Sequence, residues 1–352
     1  MSAIEAAQNA PSGDGPGSGA WQVADPRDCG FDAAALDLAA AQLASLGERQ
    51  GLVVVRHGAI VFERYWANSW HRAEPEWRNV SFSSGKSWGS TMVGRAHTEG
   101  LLNLDDLASK YHAPEASGLK PETTIRHLLT MTSGGTLNVK PSTRRPKKLG
   151  DLTPPGPGDE YQWQQVGERG SAEGYGVSIP AGTHFYYDGA AADHLANIVH
   201  GAAGVPSYTY MMAHVVAPMG CEHFDYQPEG IDKNGNVRFG GSILMSCRDL
   251  ARLGQLYLNK GWWGGAQLID ANYIANAVTP SPLNASYGFL WWLNGAGRIP
   301  NAPRAMYYAA GARGQFCFVL PAQRIIISTM GFGEEQLSGE QAWDALTSIL
   351  PG

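Results

Sequence analysis

Apolar residues fall into different rhythms at the two ends of the chain and in its middle. Residues 31–46 carry Ala and Leu at helical spacing behind Asp32, whose carboxylate suits an N-cap, so a helix is expected there. GLVVV (51–55) and AIVFERYW (59–66) are short runs rich in β-branched and aromatic residues, split by Arg56-His57-Gly58. They predict a β-hairpin. The C-terminal end mirrors this pattern. AMYYA (305–309), QFCFVL (315–320) and RIIISTM (324–330) predict three short strands, followed by a helix over 338–350. Between these ends the spacing turns helical, over 87–99, 125–131, 191–200 and 249–258.

Strands at both ends imply one sheet built from both termini. The expected class is therefore α/β of the α+β kind, with an antiparallel sheet from residues 29–82 and 286–352, flanked by helices. A mainly helical lobe over 83–285 is inserted into it. The first 28 residues, small, polar and rich in Gly and Pro, predict a flexible tail. A Pro-, Gly- and charge-rich stretch at about 140–168 predicts a long loop, a candidate wall of a binding site.

Length supports two lobes, since 352 residues exceed what one hydrophobic core usually holds. Only 16% of residues are charged against 43% hydrophobic, which excludes disorder across most of the chain. The net charge of −6 argues against a nucleic acid or a membrane surface as partner and leaves a small molecule. KPSTRRPKK (140–148) is one isolated basic run and does not change this. The four cysteines lie far apart with no CxxC pair, and no histidine stands in a zinc spacing such as HExxH. Neither a metal nor an organic cofactor is expected. No basic segment followed by an apolar run opens the chain, so a cytoplasmic protein is expected. Oligomeric state is not readable.

Candidate chemistry concentrates in VSFSSGKSWG (80–89). Gly85-Lys86-Ser87 resembles the end of a phosphate-binding loop, but Val80 stands where that loop needs glycine. Gly85-Lys86-Ser87-Trp88-Gly89 fits G-x-S-x-G, yet the last 129 residues hold no histidine to complete that triad. Ser83-Ser84-Gly85-Lys86 is S-x-x-K at the start of a helical pattern. Residues i and i+3 share a helix face, so the lysine reaches the serine hydroxyl. Free backbone N–H groups at the helix start suit an oxyanion. Ser117-Gly118-Leu119-Lys120 has the same spacing, but Pro121 follows and no helix stands behind it. A plain reading also exists, a helix capped by SFSS with a surface lysine.

The wider chain weighs against that plain reading. FSSGKSWGSTMVGRAHTEGLLNLDD (82–106), IRHLLTMTSGG (125–135), PAGTHFYYDGAAADHLANIVHGAAG (180–204), GGSILMSCRDLARLGQLYLNKGWWGG (240–265) and AAGARGQFCFVLPAQRIIISTMG (309–331) occur in that order. Together they resemble the serine β-lactamase and penicillin-binding-protein superfamily, in its class C-like branch of esterases and 6-aminohexanoate-dimer hydrolases. The resemblance covers roughly residues 30–350. It implies a β-lactamase-like fold and a serine hydrolase of small carboxylic esters or amides, with an amide-oligomer hydrolase, a weak β-lactamase or a D-amino-acid peptidase as alternatives. A catalytically inactive binding homologue is the non-enzyme alternative.

The same resemblance assigns roles. Ser83 is the nucleophile, Lys86 and Tyr187 form the acid/base pair, and the backbone N–H groups of Ser83 and Ala312 form the oxyanion hole. Tyr186 is the alternative tyrosine by one register. Tyr257-Leu258-Asn259 is the literal Y-x-N, but it sits inside a helical pattern. Two departures stand out. Gly189 replaces the family's asparagine, and Ala309-Ala310-Gly311 replaces its Lys-Thr-Gly. Both put efficient β-lactam hydrolysis in doubt. Arg313 is a candidate anchor for a substrate carboxylate, Gln315 a candidate substrate contact, and Tyr161, Trp163, Trp291, Trp292 and Tyr308 candidate walls of an apolar pocket.

Overall fold

The computed structural model describes residues 14–113, 117, 119–139, 161–164, 177–333 and 336–350. Strands β1 (Gln22–Val23), β2 (Arg49–Arg56), β3 (Ala59–Tyr65), β4 (Trp292–Leu293), β5 (Tyr307–Gly311), β6 (Gln315–Leu320) and β7 (Ile325–Gly331) make one sheet. Their order is β1-β3-β2-β7-β6-β5-β4. The N-terminal hairpin joins the C-terminal strands through β2 and β7, with Val54 opposite Ile327 and Gly51 opposite Met330. Pairing is antiparallel throughout, except that β1 runs parallel to β3.

The central strand β2 is covered on both faces, which explains its unbroken LVVV in place of an alternating pattern. Leu52 and Val54 enter one core with Leu36 and Leu43 of helix α1 (Ala33–Ser45) and, from the C-terminal helix, Trp343. Helix α1 starts where expected, the Asp32 carboxylate accepting the Ala34 N–H at 2.9 Å. Val53 and Val55 enter the opposite core, shared with helices α2 (Gly85–Thr98), α3 (Gly189–Ala203) and α4 (Cys247–Leu258). Helix α2 is buried on every side from Gly85 to Gly94, so it runs through this core and not on the surface. Helix α5 (Gly339–Leu346) closes the sheet's other face and opens on a capping box from Ser338 and Gln341.

Two expectations need correction. Of the expected flexible tail, residues 14–28 are strapped to the fold. Strand β1 lies on the sheet, the Arg252 guanidinium donates to the carbonyls of Gly17 (2.9 Å) and Gly19 (2.7 Å), and Asp14 pairs with Arg324. The middle lobe is also less purely helical than its spacing suggests. Gly135–Val139 pairs with Tyr161–Gln164 on one side and Val177–Ile179 on the other. Asn79–Val80, Ile243–Met245 and Phe224–Tyr226 form a further small sheet. These strands are two to five residues long, and several carry Gly, Asn, Gln or Ser, so no clear apolar alternation marks them. Strand 161–164 falls in the expected 140–168 loop, whose other residues lie outside those described. No helix among the described residues is long and apolar enough to cross a membrane.

Candidate active site

Ser83 sits in a tight turn, Phe82–Ser84, that runs directly into α2 and brings Lys86 round one helical turn later. Lys86 is 3% exposed and donates from Nζ to Ser83 Oγ at 2.9 Å. The turn is tied down by the Ser81 N–H on Ile243 O (2.7 Å) and by Ser84 Oγ on Ser81 O (2.7 Å). No serine side chain caps α2, so SFSS is not the cap of the plain reading. Phe82, beside Ser83, holds φ +46°, a left-handed conformation that costs a bulky residue about 1–3 kcal/mol. Ser87, the G-x-S-x-G serine, points away and donates to Leu290 O at 2.8 Å in the core.

The end of β5 faces this turn. A Cβ on Gly311 would lie 2.4 Å from Ser81 O and 2.9 Å from Ser84 N, so only glycine lets the strand approach this closely. Ala312 comes next, and Arg313 is again left-handed at φ +61°. The Arg313 guanidinium lies 5.2 Å from the Phe82 ring centroid, so the two left-handed residues stack on one another. The Arg313 side chain is thereby placed against Phe82. Arg49 fixes the same turn from within the sheet, donating to Gly314 O (2.6 Å), Arg313 O (3.3 Å) and Thr329 Oγ1 (2.9 Å). Burial pushes its guanidinium down to about 10, and it pairs with no carboxylate among the described residues. Gln315 is fully buried and spends both ends of its amide on β7, donating to Gly331 O and accepting the Gly331 N–H at 3.2 Å. The expected substrate contact is instead a pin between strands.

Tyr187 is placed by the IRHLLTMTSGG segment. The N–H of Gly182 donates to Thr132 O (2.7 Å) and that of Tyr186 to Met131 O (2.8 Å), fixing the chain on either side of a short bend. The Tyr187 ring stacks on Trp292 at 5.4 Å and meets Tyr287 edge-on at 6.0 Å. Lys86 Nζ lies 5.0 Å from its centroid. Among the described residues, a Cβ on nearby Gly189 would meet nothing within 4 Å. Tyr257 lies far from this arrangement in function. It is buried in α4, with its hydroxyl bonded to Ser90 and Thr91.

A cleft of about 240 Å³ opens between these elements, lined by Ser83, Tyr187, Trp292, Arg298, Tyr308 and the Ala310–Ala312 backbone among others. Of the expected aromatic walls, Trp292 and Tyr308 reach the cleft. Trp291 is fully buried and packs on Tyr257 at 4.4 Å. Tyr161 and Trp163 belong to strand 161–164, and their side chains lie outside the described part. Two charged groups are additions to the sequence reading. Asp193 on α3 accepts the N–H groups of Phe239 (2.8 Å) and Gly240 (3.3 Å). Burial pushes its carboxyl up, against these N–H groups and the nearby charge of Lys86. Arg298 lies over the Trp292 ring at 4.2 Å from the centroid, with its charge near the Tyr308 hydroxyl. No spacing in the sequence singles out either residue. An amine held on a hydroxyl, a phenol beside the amine and an accessible cleft are the parts that acyl transfer needs.

No curated protein matches the chain by sequence. Among solved structures it resembles a 6-aminohexanoate-dimer hydrolase from Bacillus anthracis at 18% identity, with 87% of this chain and 80% of that one covered and a TM-score of 0.63. It also resembles a penicillin-binding protein from Bacillus halodurans (16% identity, 89% and 100% covered, TM-score 0.64). The hydrolase EstCE1, with promiscuous acyltransferase activity, matches at 16% identity, 92% and 99% coverage and a TM-score of 0.65. At such identities the likeness is one of fold. The beta-lactamase family model, however, matches residues 39–344, from within α1 to α5. The chain belongs to the beta-lactamase family.

Proposed function

We propose that the chain is a serine hydrolase that cleaves small carboxylic esters or amides through an acyl-enzyme on Ser83. The observation that carries this reading is the 2.9 Å hydrogen bond from buried Lys86 to Ser83 Oγ at the edge of the cleft. A lysine serves as a base only in its neutral form. In that form Lys86 takes the Ser83 proton as Oγ attacks the carbonyl carbon, and the carbonyl oxygen becomes an oxyanion. The N–H groups of Ser83 and Ala312 stabilise that oxyanion, a contribution of roughly 3–4 kcal/mol for each well-placed donor. Tyr187 relays the proton to the leaving oxygen or nitrogen, whose bond to carbon then breaks. Water repeats the sequence in reverse and releases the acid.

Esters and amides rank above β-lactams because of the two departures. Among the described residues no atom fills the space beside Gly189, and the strand facing Ser83 carries Ala309-Ala310-Gly311 with no lysine. Two structural relatives, a 6-aminohexanoate-dimer hydrolase and a hydrolase with promiscuous acyltransferase activity, support an ester- or amide-cleaving reading. The test is labelling by a fluorophosphonate together with hydrolysis of p-nitrophenyl butyrate, an aminohexanoate dimer and nitrocefin. Ser83→Ala should lose label and roughly a thousandfold or more in ester turnover. Ser87→Ala should keep both, at a stability cost of about 1 kcal/mol for its buried hydrogen bond. Undiminished labelling of Ser83→Ala refutes the nucleophile. Absence of label and turnover in the unaltered protein favours a binding homologue.

A further inference from the structure

The nucleophile turn and the first turns of α2 rest on one short stretch, residues 239–243. The Phe239 ring lies directly on α2, 2.9 Å from where a Cβ on Gly89 would stand, and the Phe239 carbonyl would lie 3.1 Å from a Cβ on Gly85. A Cβ on Gly241 would lie 3.5 Å from the Cα of Phe82, next to Ser83. The Ile243 carbonyl accepts the Ser81 N–H at 2.7 Å. This stretch therefore touches the chain before, between and after Ser83 and Lys86. Asp193 holds it from α3. A single carboxylate oxygen, Oδ1, accepts the N–H groups of both Phe239 (2.8 Å) and Gly240 (3.3 Å), and Asp193 forms no ion pair among the described residues. Helix α3 begins at Gly189, two residues after Tyr187. One carboxylate thus joins the helix that follows the phenol to the backing of the serine and the lysine.

We infer that Asp193 is a positioning residue for catalysis, resting on the hydrolase reading above: its grip on the N–H groups of Phe239 and Gly240 sets the spacing between the Ser83–Lys86 pair and Tyr187. Ser83 and Lys86 share one turn of chain and keep their own geometry. Tyr187 comes from a separate stretch, whose ties at Gly182 and Tyr186 run to Thr132 and Met131 and not to the nucleophile turn. The distance across the acid/base pair therefore needs a tie of its own. Proton relay demands hydrogen-bond reach between the phenol and the groups it serves, and a misplacement of about 1 Å costs roughly 100-fold in rate. A carboxylate accepting backbone N–H groups makes charge-assisted bonds, among the stronger ties a side chain can offer. Two successive N–H groups on one oxygen fix the direction of the stretch as well as its distance.

Three variants separate position from charge. Asp193→Asn leaves an amide oxygen in the place of Oδ1 and removes the charge near Lys86. Asp193→Glu keeps that charge and carries the acceptor one methylene farther. Asp193→Ala removes both. On p-nitrophenyl butyrate, the Ala and Glu variants should lose roughly 30- to 100-fold in kcat with KM within about twofold, and should take up a fluorophosphonate correspondingly slowly. Asp193→Asn should restore all but a few-fold of that loss. Ser207→Ala is the control for simple loosening. It frees the Val237 N–H, held by Ser207 Oγ at 3.0 Å two residues before Phe239, and should lower Tm while leaving kcat unchanged. The assignment is overturned if Asp193→Ala keeps its kcat while Tm falls, or if Ser207→Ala loses as much kcat as Asp193→Ala. It is equally overturned if Asp193→Glu retains kcat and Asp193→Asn loses it, since charge and not position then matters. Should Asp193→Ala not fold, the contrast between Asn and Glu decides alone. In each of these cases labelling of the unaltered protein still supports the hydrolase reading. An unaltered protein that neither takes the label nor turns over the ester removes that reading and the role of Asp193 together.

Discussion

Arg49 offers a test of whether the proposed oxyanion hole is held in place from inside the sheet. It is 4% exposed, has no carboxylate partner among the described residues, and donates to the carbonyls of Arg313 and Gly314, the two residues that follow Ala312. A depression of its pKa from 12.5 to about 10 corresponds to a burial cost of roughly 3 kcal/mol. Its three hydrogen bonds, each worth about 1.5–3 kcal/mol from a charged donor, outweigh that cost by a few kcal/mol. Arg49→Met removes the cost and the bonds together, so the net loss of stability should be only about 2 kcal/mol, and the protein should remain folded. The turn carrying the Ala312 N–H, however, loses its anchor. Displacing one oxyanion donor costs about 100-fold or more in kcat. The expected outcome is therefore a modest fall in Tm with a fall in kcat of roughly 30- to 100-fold on p-nitrophenyl butyrate and little change in KM. Arg49→Lys should recover only part, since a single ammonium cannot span both carbonyls. If kcat falls less than about threefold while Tm drops, Arg49 is a plain structural strut and the argument fails.

Two other outcomes follow from the same geometry. Gly311→Ala places a methyl group 2.4 Å from Ser81 O, so β5 must back away from the nucleophile turn, and ester turnover should fall by at least about tenfold with the circular dichroism spectrum retained. His194, buried beside His112 with neither ring nitrogen bonded among the described residues, is held by burial at about 4, below the ordinary 6.5. Because the folded form resists protonation, stability is complete above pH 6.5 and declines as pH falls from 6.5 towards 4, by up to roughly 3 kcal/mol. Denaturant titrations of His194→Leu should lack most of that decline; an unchanged slope refutes the assignment.

The parts of the site that could be read from the sequence are those set by short-range geometry. Ser83 and Lys86 are three residues apart, and helical spacing alone puts the amine on the hydroxyl. The hairpin, the three C-terminal strands and the Asp32 cap were legible for the same local reason. Trp291 and Trp292 show where such reading stops. Trp291 immediately precedes β4 and enters the core, whereas Trp292 opens the strand and faces the cleft, and the sequence does not say which of the two is wet. Gln315 fails differently, since its partner Gly331 is brought near only by strand pairing. Arg298, Asp193 and Arg49 gain their significance from contacts that cross the fold, which no local pattern encodes. The strapped segment 14–28 was missed because a Gly-rich chain can be ordered by carbonyl acceptors alone, as the bonds from Arg252 show.

The pairing of β2 with β7 also dictates an order of events during synthesis. Arg56 leaves the ribosome long before its partner Ile325 exists, an interval of the order of tens of seconds at ordinary elongation rates. Throughout it, the LVVV run of the hairpin has one open edge, and its second face is covered only as helices α2 to α4 emerge, the hallmark of a segment prone to self-association. Ser83 and Lys86 can meet within their own helix early, but β5, the strand that lines the cleft, arrives more than 200 residues later. Ribosome-bound chains are thus most vulnerable to aggregation, and most dependent on chaperones, before the C-terminal strands emerge.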